Sequence, residues 1–430
     1  MTGGGSNATN LVPAVGGTRT VPAPDPVARD YILLALRLDQ HISGLVDGYF
    51  GPADLKATVD MEQLRLPARL RDDARALRER LPAEVADADR RAWLDAQLVA
   101  LETQAAGLAG EDLPYLDYVT RCFAYTPPRY QDAVFEAAAA RIAELLPGDA
   151  PLADRLEAWD ARFVVPVDRL PGVVDWLVAR LRDQAAADFG LPDGEDLRVS
   201  LVTGQPWSAY NWFDGGRRSR IDVNTDLPVR AWDLIGLVAH EAYPGHHLEH
   251  AWKEADLVDT QGRLESSILL INTPECLISE GLADLGVRFA SPLEGRADLL
   301  VEIYERVGLP FATDPAATRE AAELTIALAV ERERLSAIRG NAGILRHADG
   351  RSHDEVVAYL HDVGRYPMAV AEKRLEFIEH PLWRTYVFVY AEGEALLRRW
   401  LEAVAEPERA ARFGRLLHEQ LTPAAVTVPG

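Results

Sequence analysis

The sequence predicts a mostly α-helical protein with one small antiparallel β element, on three observations. Apolar residues recur at helical spacing along most of the chain; one stretch, 197–224, turns β-branched and aromatic; and no internal linker is long enough to separate independent domains. From Val27 the pattern is helical, with Tyr31, Leu34, Leu36, Leu38 and Ile42 recurring at helix-like spacing. Gly48-Tyr49-Phe50-Gly51-Pro52 breaks it. Long Ala/Leu/Arg segments follow over roughly 66–81, 89–107, 129–145 and 151–163, punctuated by Pro127-Pro128 and Pro147-Gly148. Another helix is expected over 171–187, where Pro171 suits a first turn.

Residues 197–202, 208–213 and 220–224 read as strands, with Asp214-Gly215-Gly216 a hairpin turn between the last two. Helices are expected again over about 229–256, 263–271, 274–290, 293–307, 315–337, 353–360, 367–378 and 382–404. Residues 1–27 are rich in Gly, Ser, Thr and Pro and lack a basic-then-apolar leader pattern, so a disordered tail is expected there and a single helical domain over 28–430.

Composition narrows the function. A net charge of −22 would repel nucleic acid and anionic membranes. No run of about 18 apolar residues exists to span a bilayer. Cys122 and Cys276 are too few and too far apart for a disulfide framework. A cytoplasmic enzyme fits these facts; nothing in them sets the oligomeric state.

The chemistry is concentrated in His240-Glu241-Ala242-Tyr243-Pro244-Gly245-His246-His247-Leu248-Glu249-His250, which holds four of the ten histidines. A His-Glu pair closing an apolar helical turn, with further histidine beyond it, is how many zinc peptidases begin their site. Two histidine ligands usually sit four residues apart on one helix face, but position 244 is proline. On a straight helix His246 would lie about 240° round from His240, and His247 about 10.5 Å along the axis, so neither could share an ion with it. The helix must break or bulge, and Pro244-Gly245 is a plausible cause, through a missing N–H and backbone freedom. Either His246 or His247 then becomes the second ligand, with His246 favoured. Glu241 would be the general base acting on a metal-activated water.

The third ligand is expected from Thr273–Asp284, where Thr273 is a good N-cap, Pro274 a good first-turn residue, and Glu280 and Asp284 share a face. Glu280 would bind the ion and Asp284 would fix a histidine tautomer. Glu249 could hold a ligand histidine or face water. His250 is read as solvated or as supporting a ligand from behind, and Cys276 as a buried structural thiol.

At these residues the chain resembles the bacterial family of domain of unknown function 885 (DUF885). His-Glu-Ala-Tyr-Pro-Gly-His-His and Ser-Glu-Gly-Leu-Ala-Asp carry the likeness, and Asp47-Gly48-Tyr49-Phe50-Gly51-Pro52 and Tyr390-Ala-Glu-Gly-Glu394 add to it. The resemblance implies a long helical bundle enclosing a groove, similar to zinc carboxypeptidases of the gluzincin type, whose second helix carries Glu-x-x-x-Asp. It also implies a strand beside the metal, on which a peptide can add as a further strand; Tyr210 and Asn211 would be placed to meet substrate there. Related enzymes use a tyrosine or histidine near the C-terminus to stabilise the oxyanion, which makes Tyr390 and Tyr386 the candidates, with Arg384 as a grip for a terminal carboxylate. The expectation is a metallopeptidase with one Zn²⁺ per chain acting on short peptides, and the resemblance to carboxypeptidases implies trimming from the C-terminus. The rivals are a zinc hydrolase of a non-peptide amide or ester, and a non-catalytic binding protein stabilised by metal.

Overall fold

The computed structural model describes residues 25–205 and 207–428. Residues 1–24, the bulk of the expected tail, lie outside the described residues. The first helix runs Pro26–Asp39; Asp25 caps it by accepting from the Ala28 N–H at 2.7 Å, and Val27 is already buried. The helix therefore starts a residue before the expected tail boundary.

The architecture is mostly α. Helices Pro67–Glu84 and Ala88–Leu108 pack as an antiparallel pair, near the expected segments, as do Asp132–Leu145, Leu152–Ala161 and Leu170–Phe189. The short helices Ala53–Met61, Tyr115–Phe123, Ile338–His347 and Glu406–His418 were not anticipated. Buried apolar residues form one cluster reaching from Val27 to Val426, and on that cluster we rest the proposal of a single domain.

There are five strands among the described residues: β1 (Val46–Tyr49), β2 (Asp196–Val202), β3 (Ala209–Phe213), β4 (Arg218–Asn224) and β5 (Ile268–Leu270). The expected hairpin is β3–β4, antiparallel, with Asn211 opposite Ile221. The ribbon is larger than expected, because β2 joins the far side of β4 in parallel, giving the order β2-β4-β3. A second sheet pairs β1 with β5 antiparallel. It corrects two expectations: Gly48-Tyr49 is strand rather than a simple break, and 263–271 is not a helix but a 3₁₀ turn, Leu264–Ser267, followed by β5. Ile268-Leu269-Leu270-Ile271 has no polar face for a surface helix, and such short apolar runs are ambiguous by periodicity alone.

Two further departures position the site. The expected helix 229–256 is split into Leu234–Glu241 and His246–Lys253, followed by a π-helical turn, Glu254–Thr260. The expected helix 382–404 begins only at Val389, after a 3₁₀ turn at Tyr386–Phe388. Helix Val389–Glu402 crosses helix Pro274–Ala290 in direct backbone contact. A Cβ on Gly281 would sit 2.4 Å from the Gly393 carbonyl carbon, and one on Gly393 would sit 2.4 Å from the Leu277 carbonyl oxygen. Only glycine at both positions allows this approach, which sets Glu280 beside Tyr386.

Candidate metal centre

Helix Leu234–Glu241 stops where Pro244 can no longer supply an N–H, and Ala242–Gly245 form a compact turn. The Gly245 N–H bonds back to the Ala239 carbonyl at 2.9 Å. A Cβ at 245 would stand 1.9 Å from the His240 carbonyl oxygen, so the turn requires glycine. A strand secures the same corner, as Asn211 Nδ2 on β3 donates to the Glu241 carbonyl at 2.6 Å. The new helix then starts at His246, which the turn delivers to His240.

Acceptor atoms of three side chains converge here. His240 Nε2 lies 3.2 Å from His246 Nε2 and 3.5 Å from Glu280 Oε2, and His246 Nε2 lies 3.6 Å from Glu280 Oε1. With both Glu280 oxygens taking part, each contact is close to the spacing of about 3.3–3.6 Å between neighbouring ligands of a tetrahedral zinc held at about 2.0–2.2 Å. The second ring nitrogens are occupied elsewhere. His240 Nδ1 bonds Asp284 Oδ1 at 2.9 Å, and His246 Nδ1 lies 3.3 Å from Ser279 Oγ and 3.8 Å from Glu249 Oε2. With their outer N–H groups engaged, the inner nitrogens face one another with lone pairs. Glu280 is buried, and its Oε2 has no hydrogen-bond partner, whereas Oε1 accepts from Tyr386 at 2.7 Å. An orphaned carboxylate oxygen beside two inward-facing imidazoles is a donor set that fits zinc.

The electrostatics favour positive charge at this point. Burial alone would lower the pKa of His240, yet the bond to Asp284 and the neighbouring Glu280 carboxylate hold it well above the ordinary value. Burial likewise opposes charge on His246, and Glu280 with Glu249 reverses it. Burial pushes the Glu241 carboxyl up against the pull of His240 and His246. Glu241 lines the same cavity, of about 290 Å³, as the three acceptors.

The sequence-based candidates divide as follows. His240, His246 and Glu280 come together; Asp284 and Glu249 support the two histidines from behind. His247, the reserve ligand, points away. It is fully buried, with Nδ1 at 2.8 Å from Ser219 Oγ and Nε2 at 2.9 Å from Glu195. His250 stacks on His246 at 5.7 Å, and burial holds its pKa down to about 3. Tyr390 lines the cavity with its ring 6.3 Å from that of His240. Tyr386 is placed as a holder of Glu280 rather than as an open donor. Tyr210 and Asn211 both line the cavity, Tyr210 through a hydrogen bond to Asp47 and Asn211 through its cap on Glu241. Arg384 does not reach the cavity: it precedes the late-starting helix, and its guanidinium lies over the Tyr118 ring at 5.0 Å.

Sequence reasoning missed Ser279, Lys253 and Asp47. Ser279 donates to Glu249 at 2.5 Å, and Lys253 Nζ donates to Glu249 and Glu275 at 2.7 and 2.8 Å. The four-residue step from Glu249 to Lys253 on one helix face was an available signal. The signal for Asp47 was its place in the Asp47–Pro52 segment of the family resemblance; spacing gave none, since β1 lies far away in sequence.

No protein-family model matches the chain, and no curated protein matches it. The DUF885 resemblance thus gains no independent support from a family match. Among solved structures, the chain is similar in fold to the "putative lipoprotein" from Colwellia psychrerythraea. The TM-score is 0.50 at 15% identity, covering 83% of this chain and 65% of that one. The chain therefore spans just under two thirds of that structure's length. Two further structures align with TM-scores below one half. The "putative lipoprotein of unknown function" from Shewanella oneidensis gives 0.49 at 12% identity, covering 93% of this chain and 82% of that one. The M32 carboxypeptidase from Deinococcus radiodurans R1 gives 0.36 at 16% identity, covering 91% and 88%. No helix among the described residues is long and apolar enough to cross a membrane. The likeness to the Colwellia psychrerythraea structure speaks to a shared fold alone.

Proposed function

We propose that the protein is a zinc-dependent hydrolase that cleaves amide bonds in small peptide-like substrates. The observation that carries this reading is the convergence of His240 Nε2, His246 Nε2 and the buried Glu280 carboxylate, one oxygen of which has no hydrogen-bond partner, in a cavity shared with Glu241. Zinc held by His240, His246 and Glu280 supplies Lewis acidity, making a water acidic enough to lose a proton near neutral pH and polarising the amide carbonyl.

The chain's own residues do the rest. Asp284 and the Ser279–Glu249 pair fix the two imidazole rings. Tyr386 holds Glu280 by one oxygen and leaves the other free. Glu241 takes the proton from the attacking water and delivers it to the amine nitrogen as the C–N bond breaks. The Tyr390 hydroxyl, which burial and the nearby Glu280 keep protonated, donates to the oxyanion. The cavity volume suits a substrate on the scale of a dipeptide.

The test joins metal analysis to turnover. Purified protein should carry close to one zinc per chain. Glu241→Gln should keep that zinc while losing about 10²–10⁴ in rate, measured on a peptide library alongside small amides and esters. A zinc-loaded wild type that turns over none of these would overturn the reading.

A further inference from the structure

Resting on that reading for its chemistry, we infer that the substrate carries an amine. Its ammonium group is held by Glu275 and Gln97 against the rings of Tyr31 and Trp93, which line one cavity with the metal-site histidines.

Charge is the first argument. Asp47, Glu241, Glu275 and Glu280 all line the cavity, and no arginine or lysine does so among the described residues. A zinc dication would offset two of these four carboxylates. Lys253 donates to Glu275 but does not line the cavity, and its other bond goes to a further carboxylate, Glu249. The lining therefore stays negative with its metal in place. A substrate carboxylate would be repelled there, and an ammonium attracted.

Unmet hydrogen bonding is the second argument. Gln97 lines the cavity at 1% exposure, and its Oε1 has no partner. Trp93, one turn earlier on the same helix and 2% exposed, brings its ring to the same stretch of wall. A buried amide oxygen without a donor costs about 1–3 kcal/mol, so a ligand N–H placed there gains what the protein alone forgoes. An ammonium offers three such donors and could bond Gln97 Oε1 and the Glu275 carboxylate together.

Ring placement is the third. Tyr31 and Trp93 stand with centroids 6.0 Å apart and planes tilted by 56°, an aromatic corner suited to a cation. Tyr31, Trp93, Gln97 and Glu275 all sit on helices, so the corner exists before any ligand arrives.

Calorimetry tests the inference without turnover. Four probes are titrated into the zinc-loaded wild type at about pH 6.5, where an α-amine is protonated. They are L-phenylalaninamide, N-acetyl-L-phenylalaninamide, N-acetyl-L-phenylalanine and Nα-acetyl-L-lysinamide. The phenylalaninamide Kd should be at least tenfold lower than that of its neutral acetylated counterpart. Glu275→Gln, which keeps an oxygen for Lys253, should erase most of that preference. Gln97→Leu should reduce it about threefold to tenfold, and it serves if Glu275→Gln fails to fold. Comparable binding of the lysinamide assigns the corner to any ammonium, whereas weak binding restricts it to a free peptide N-terminus. The inference falls if the acetylated amide binds as well as the amine, if N-acetylphenylalanine binds more tightly than phenylalaninamide, or if neither variant changes the ratio. Turnover without this preference would overturn the amine assignment alone; the preference without turnover would leave it standing and remove the hydrolase reading.

Discussion

His246 and His247 are neighbours in sequence, yet the structure gives them opposite environments. Both nitrogens of His247 are satisfied, by Ser219 and Glu195, and Glu195 also accepts from Tyr243 at 2.5 Å and from Arg182 Nε at 2.7 Å. His246 is satisfied on one side only, and its Nε2 faces another imidazole nitrogen and a carboxylate. The first cluster is closed and ties the turn after Glu241 to the sheet. The second is open and short of positive charge. A buried polar network that answers all its own hydrogen bonds has no need of a ligand, whereas one built of acceptors alone does.

Substitutions that separate the two clusters should do so by different readouts. His240→Ala removes a corner of the open cluster, and zinc content should fall from about one per chain to none with activity lost, while the fold survives by circular dichroism. His247→Ala strikes the closed cluster. It should cost about 2–4 kcal/mol in denaturant unfolding, by leaving buried partners unanswered, while the folded fraction keeps its zinc. A His247→Ala protein that is stable but zinc-free would reverse the assignment.

Asp284→Asn is a milder test, since the ring of His240 loses its charged orienting partner but remains in place. Zinc affinity should drop about 10–100-fold by competition with a chelator.

Acid sharpens the comparison further. Burial would raise the Glu195 pKa, yet hydrogen bonds from His247 and Tyr243, the charge of His247, and Arg182 pull it down from 4.5 to about 2. A carboxyl whose folded pKa is depressed stabilises the fold above its unfolded pKa and loses that contribution as pH falls through the folded value. Stability measured by urea titration should therefore decline between about pH 4.5 and pH 2, by on the order of 3 kcal/mol from this group. In His247→Ala the decline should shrink. An unchanged acid limb in that variant would show that His247 does not hold Glu195.

Much of this was legible in the sequence. Long segments such as 89–107 and 171–187 carry enough turns for periodicity to speak, and the β3–β4 hairpin announces itself through Asp214-Gly215-Gly216. The local chemistry of Pro244-Gly245 indicated a break that would bring His246, or in its place His247, to His240, and Glu280 with Asp284 followed from four-residue spacing. What depends on distance along the chain was not legible. The β1–β5 pairing joins segments more than two hundred residues apart, and its strands are too short and too glycine-interrupted to signal alone. The cavity wall of Tyr31, Trp93 and Gln97 arises only when the first helix and helix Ala88–Leu108 pack beside the site. Arg384 was misplaced because its segment reads as helical while the chain there is still turning.

The crossing at Gly281 and Gly393 has a practical consequence for anyone reshaping this protein. Where two helices rest peptide against peptide, no rotamer can absorb a change, so an alanine at either position acts as a shim that pries Glu280 from Tyr386. The wall of Tyr31 and Trp93 meets the cavity through side chains on two other helices, so a change of ring there alters the lining without touching that crossing.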